Sequence, residues 1–170
     1  MLFNRVYITV LAILGIILLY SYYYYATTNK KVLQLWGRIK GLLLNIYYVS
    51  MLLSAIGFLI FFYYIFISNS FTNDDVNKLY IALLIIIIVS IFWMPLSLNY
   101  LAKKSESLKY LIILVLLIVS IATLYLIYVL YKVKENKYIF NKNLALVGMV
   151  YFFIHAFFFD CITWSYNYLY

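Results

Sequence analysis

Apolar residues run almost unbroken through positions 6–25, 41–67, 79–101, 110–131 and 144–166, with polar residues gathered between the runs. Each run reaches or exceeds the roughly 20 residues that carry a helix across a hydrocarbon core of about 30 Å. None alternates with period two, so a lipid-facing barrel is not indicated. In hydrocarbon every backbone N–H and C=O must be paired within the segment, and continuous apolar runs meet that condition as helices. The pattern therefore predicts an all-α, polytopic transmembrane helical bundle of five spans in a single domain, residues 1–170.

The connectors refine this picture. Residues 27–40 (TTNKKVLQLWGRIK) are amphipathic. Val32, Leu35, Trp36 and Ile39 share one helical face, with Lys31, Gln34 and Arg38 largely opposite. That spacing predicts a short helix in the membrane interface, its Lys30, Lys31, Arg38 and Lys40 turned to anionic headgroups. Residues 68–78 form the acidic connector, where Thr72 and Asp75 have capping-box spacing ahead of the third span. Too few spaced carboxylates are present for a calcium loop. Two further connectors, 102–109 and the basic 132–143, make spans three, four and five antiparallel neighbours.

Within the spans, a few residues break the apolar pattern. Tyr22 to Tyr25 end the first run as an interfacial aromatic belt, and with no small-x-small cleavage site following, the run reads as a mature helix. Ser50, Ser54 and Gly57 in the second run predict close helix approach. Pro95 in the third removes one backbone hydrogen bond and clashes with the Ile91 carbonyl, predicting a kink there.

Composition excludes a soluble domain. The 170 residues are 68% hydrophobic and 11% charged, against about half and a quarter in soluble proteins. A formal charge of +8 would suggest nucleic acid in a soluble chain. Here the cations sit in short segments between apolar runs, so the expected partner is the bilayer, with no nucleic acid. One side of the membrane holds seven Lys and Arg (30, 31, 38, 40, 103, 104, 109) and the other six (5, 78, 132, 134, 137, 142). The near tie leaves the early charges to place the N-terminus outside. Cys161 alone forms neither an intrachain disulfide nor a Cys-cluster metal site, and it reads as packing.

His155 and Asp160 are the one His and the one acid within the apolar runs. An ionisable group at that depth costs a few kcal/mol, which makes it a candidate functional site. Centring each span on its midpoint puts Ser54, Ser90, Ser120 and His155 in one polar layer. Asp160 lies roughly 7.5 Å further along an α-helix and roughly 140° around it. The pair should then face different neighbours, with a neutral Asp160 donating to the Ile91 carbonyl at the Pro95 kink or to Tyr48.

His155-Ala-Phe-Phe-Phe-Asp160 resembles the H-x-x-x-x-D spacing of glycerolipid acyltransferases over these six residues, without an FPEG-like substrate motif. Two-Asp proteolysis, zincin chemistry and bis-His haem ligation each lack a required residue, and no Lys sits inside a span for a retinal Schiff base. No cofactor or metal is expected. Residues 91–101 (IFWMPLSLNYL) and 148–166 (GMVYFFIHAFFFDCITWSY) together resemble small multi-spanning membrane proteins of large algal and protist DNA viruses. That resemblance implies an origin, and with it a viral inner membrane, host endomembrane or organelle as location, but no activity. The function expected is a non-enzymatic structural or accessory membrane component that packs with copies of itself or with partners. The alternative is a small proton or cation channel or transporter using His155 and Asp160.

Overall fold

The computed structural model describes residues 5–67, 71–133 and 139–169. Parts of the acidic and basic connectors, residues 68–70 and 134–138, lie outside the described residues. Helix α1 covers Arg5–Thr28, α2 Gly41–Ile67, α3 Asn73–Lys103 and α4 Glu106–Lys132. The fifth span is composite: α5 (Ile139–Ile154), a π-helical segment (His155–Trp164) and a final turn, α6 (Ser165–Leu169). No strand occurs among the described residues, and five helices are long and apolar enough to cross a membrane.

A polar cap lengthens α3 beyond its apolar run. Thr72 Oγ1 accepts from the Asp75 N–H (3.2 Å) while the Asp75 carboxylate accepts from the Thr72 N–H (3.1 Å). This closes the capping box and starts α3 at Asn73, several residues before the hydrophobic run. Asp74 and Asp75 in that first turn favour the positive end of the helix dipole, and Lys78 pairs with Asp74 one turn on.

Helix α3 packs on α4, and α4 on the fifth span, as successive short connections require. Two further pairings are not dictated by chain order: α1 lies on α3, and α2 lies along α5. The α2–α5 contact follows from a stripe of alternating three- and four-residue steps, Tyr47, Ser50, Ser54, Gly57, Phe61 and Tyr64, all buried. At its centre the backbones touch. A Cβ placed on Gly57 would lie 2.5 Å from the Gly148 carbonyl oxygen and 2.8 Å from its Cα. Without a hydrophobic driving force in lipid, such close approach is a principal source of helix–helix attraction.

The interior divides into two cores. One, at the end that holds the α2–α3 and α4–α5 connections, includes Phe61, Leu79, Leu83, Leu126, Leu130 and Met149. The other, at the opposite end, includes Leu35, Ile39, Tyr47, Leu98, Ile112 and Trp164.

The amphipathic stretch 27–40 is not the helix its periodicity predicts. Helix α1 continues to Thr28, and only a five-residue 3₁₀ turn, Val32–Trp36, follows. Its apolar face is chosen as expected, with Leu35 and Ile39 buried and Lys31, Gln34 and Arg38 exposed. That face meets protein rather than lipid. The Trp164 indole N–H donates to the Leu35 carbonyl (2.8 Å), the Arg38 N–H to the Asn167 carbonyl (3.1 Å) and the Arg38 guanidinium to the Tyr166 carbonyl (3.1 Å). Arg38, expected from sequence at headgroups, thus helps satisfy the C-terminal carbonyls of the fifth span. Gly37 permits the docking: its φ of 53° suits glycine, and it sits against the backbone of Asn167 and Tyr168. Residues 29–40 form a strap over the end of the bundle, and Lys30, Lys31 and Lys40 stay exposed.

Candidate functional site

The polar residues of the fifth span converge on α2, at the boundary between the two cores. Ser50 and His155 are buried, their Oγ and Nδ1 atoms 2.9 Å apart. Tyr151 donates to the same Ser50 oxygen (3.3 Å). The Ser50 hydroxyl donates to Nδ1 or accepts from it according to the imidazole tautomer, and the second ring nitrogen is Nε2. That nitrogen faces the Asp160 carboxyl, 3.6 Å from Oδ1, an electrostatic contact longer than a hydrogen bond. Tyr47 completes the chain by donating its hydroxyl to the same Oδ1. The order Tyr151, Ser50, His155, Asp160, Tyr47 therefore crosses the seam between α5 and α2 repeatedly.

Aromatic rings enclose it. Tyr47 meets the imidazole edge-on at 5.4 Å between centroids, and Phe159 stacks on it at 5.5 Å. The His155 side chain is 8% exposed and that of Asp160 30%.

The separation of His155 from Asp160 expected on α-helical geometry is overturned. The segment is a π-helix, whose hydrogen bonds run from residue i to i+5 and bring residues five apart onto one face. Its signature is direct: the Ser165 N–H reaches the Asp160 carbonyl, and Thr163 Oγ1 donates to the Phe158 carbonyl (2.8 Å), five residues back. Hydroxyls that back-bond over this interval support the wider turn. The expectation that the two residues are poor partners rests on 100° per residue throughout, and the π turn removes that condition.

Other expected partners are also corrected. Tyr48 is 46% exposed and rests edge-on against Trp36; the adjacent Tyr47, one α-helical step around, holds Asp160. The Ile91 carbonyl is not the acceptor of Asp160. Helix α3 continues through Pro95, and the side-chain hydrogen bonds around it involve the Tyr22 hydroxyl to the Ser90 carbonyl (3.0 Å) and the Tyr168 hydroxyl to the Ser97 carbonyl (2.5 Å). Tyr22, expected from sequence in the aromatic belt, thereby packs against Trp93.

The midplane serine layer does not form. Ser54 donates to the Met51 carbonyl (2.9 Å) and Ser120 to the Leu116 carbonyl (2.9 Å), each within its own helix, while Ser90 contributes its carbonyl to Tyr22. Local back-bonding satisfies such hydroxyls without a neighbour. The histidine takes Ser50 instead. Sequence reasoning misses Tyr47, Ser50 and Tyr151 as site residues, although Tyr47 and Ser50 fall on the buried stripe of α2 and Tyr48 does not.

The H-x-x-x-x-D pair does meet in this geometry, with Nε2 of His155 toward Asp160, Nδ1 toward Ser50, and the carboxyl holding Tyr47. No cluster of three or more metal-ligating side chains occurs among the described residues. Fold and site together define an all-α protein with five helices fit to cross a membrane and a polar chain at one helix seam. No family model, curated protein or solved structure matches the chain.

Proposed function

We propose that the protein is a non-enzymatic integral membrane component, structural or accessory, in which Tyr47, Ser50, Tyr151, His155 and Asp160 act as a tie between α2 and the fifth span. One observation carries this reading: the polar chain spans the seam and stops within it. Toward the other end the same seam is closed by the Gly57–Gly148 backbone contact and by Met149 and Phe61, both fully buried. A proton or cation path has suitable groups in series from Tyr151 to Asp160, which is why transport is the rival reading. It would have to continue through that dry contact. Helix α1, with Leu11 its one buried residue, leaves most of its surface for lipid, a second copy or a partner protein. The membrane itself is proposed from the sequence resemblance alone, as one made by a large DNA virus or its host.

Proteoliposomes with an internal pH dye test the choice. Wild-type protein and Asp160→Asn should both show proton uptake equal to that of protein-free vesicles, while Asp160→Leu lowers the yield of monodisperse protein. Uptake by the wild type that Asp160→Asn abolishes with helix content intact overturns the structural reading.

A further inference from the structure

Beside the polar tie, α2 and α5 leave an outward-facing groove of about 350 Å³, at the low end of the roughly 300–1,000 Å³ typical of ligand sites. Leu42, Ile46, Val49 and Phe159 form its apolar walls, and Ser50 and Tyr151 lie at its inner end. The α2 wall residues are 75%, 46% and 58% exposed in chain order, so in a bilayer this groove opens to lipid.

Two features make the opening selective. Asn45 also lines the groove, exposed, and no other described residue hydrogen-bonds its side-chain amide. It lies about 6 Å along the helix from Gly41, at four residues of helical rise, a depth where glycerol ester carbonyls are available to an amide donor. Lys40, exposed, precedes the groove-lining Leu42 by two residues in the chain. The connectors at that end hold seven Lys and Arg against one acid, Glu106. This charge balance selects an anionic headgroup over a zwitterionic one.

We propose that the α2–α5 groove binds one acyl chain of an anionic glycerophospholipid, with Asn45 at its ester and Lys40 at its phosphate. The chain runs along Ile46 and Val49 and covers the outer side of the Ser50–Tyr151 end of the polar tie. This site stands whether the tie is structural or carries protons, because it rests on the groove and its mouth alone.

The test uses the full chain in nanodiscs of equal phosphatidylglycerol and phosphatidylcholine, extracted in mild detergent, with retained lipid identified by mass spectrometry. Wild type should retain phosphatidylglycerol about fivefold over phosphatidylcholine, the preference expected of one lysine at an anionic surface. Lys40→Glu should erase the preference, and Val49→Trp, at an exposed position, should lower total retained lipid. Asn45→Leu should weaken retention without altering elution. Lys103→Glu with Lys104→Glu, at the same end but outside the groove, should leave the preference in place. Equal retention of the two lipids by wild type, undiminished retention in Val49→Trp, or equal loss in the Lys103/Lys104 variant overturns the proposal. So does efficient Val49→Cys crosslinking between copies, which would assign the groove to a second chain.

Discussion

Gly57→Leu should abolish the folded state in mild detergent, giving aggregated protein in place of a monodisperse peak. The reason is steric. Even the first carbon of a side chain would lie 2.5 Å from the Gly148 carbonyl oxygen and 2.8 Å from its Cα, with the reciprocal contacts 2.6 and 2.8 Å from Gly148. Carbon atoms settle at about 3.5–4.0 Å, and the atoms in the way are backbone, so no rotamer change relieves the overlap. The helices must part by roughly 1 Å or more, which weakens dispersion contacts along the whole α2–α5 stripe. Overpacking alone commonly costs about 1–3 kcal/mol, and parting the stripe adds to it. Gly57→Ala should lie between the two, measurably destabilised in a detergent titration. Gly15→Ala is the comparator: nothing lies within 4 Å of where its Cβ would stand, and the change should be neutral or slightly stabilising through helix propensity.

The second large effect is expected at Gly37, where conformation and contact act together. With φ 53° and ψ −118°, the residue occupies backbone space that costs a residue with a side chain about 1–3 kcal/mol. A Cβ would also overlap the Asn167 carbonyl oxygen and lie 2.9 Å from the Tyr168 Cα. Gly37→Ala should therefore release the strap from the fifth span. Loss of the Trp164–Leu35 and Arg38–Asn167 hydrogen bonds would follow, leaving a buried indole N–H and helix-terminal carbonyls unsatisfied. Trypsin should then cut at Lys30 and Lys31 at least tenfold faster than in wild type, by order of magnitude for about 1.4 kcal/mol of local opening. Gly41→Ala separates the two causes. Its φ is 58°, but nothing lies within 4 Å of the added carbon, so it should show the conformational penalty without strap release. Equal proteolysis in both variants would count against the contact with Asn167.

The five spans are legible because hydrocarbon imposes one simple demand on sequence, and the 41–67 run coincides with α2 at both ends. The other helices extend past their runs into polar residues, α3 from its Thr72–Asp75 capping box, which hydropathy does not register. Pairing of α2 with α5 is not legible from connector lengths, since those constrain successive helices. The small residues Ser50, Ser54 and Gly57 do mark the correct face. Extending that stripe one step back reaches Tyr47, so the partner of Asp160 is present in the spacing, whereas the expected Tyr48 lies one residue off it. The His155–Asp160 contact is hidden for a different reason: apolar composition marks a helix but not whether its turns close at four residues or five. The strap shows the converse. Its buried face follows from periodicity, yet a helix turn ending at a positive-φ glycine and docking on carbonyls of the fifth span depends on a partner surface far away in sequence.

The most direct measurement of the tie is a double-mutant cycle on Tyr47 and Asp160, using Tyr47→Phe, Asp160→Leu and the pair, with unfolding free energies from detergent titration. Interhelical polar pairs in membranes couple by about 0.6 kcal/mol on average and up to about 1.7 kcal/mol. A tie across the α2–fifth-span seam predicts coupling in that range, with the double variant less destabilised than the sum of the singles. Additivity within about 0.3 kcal/mol would contradict it and leave the polar chain without a structural role.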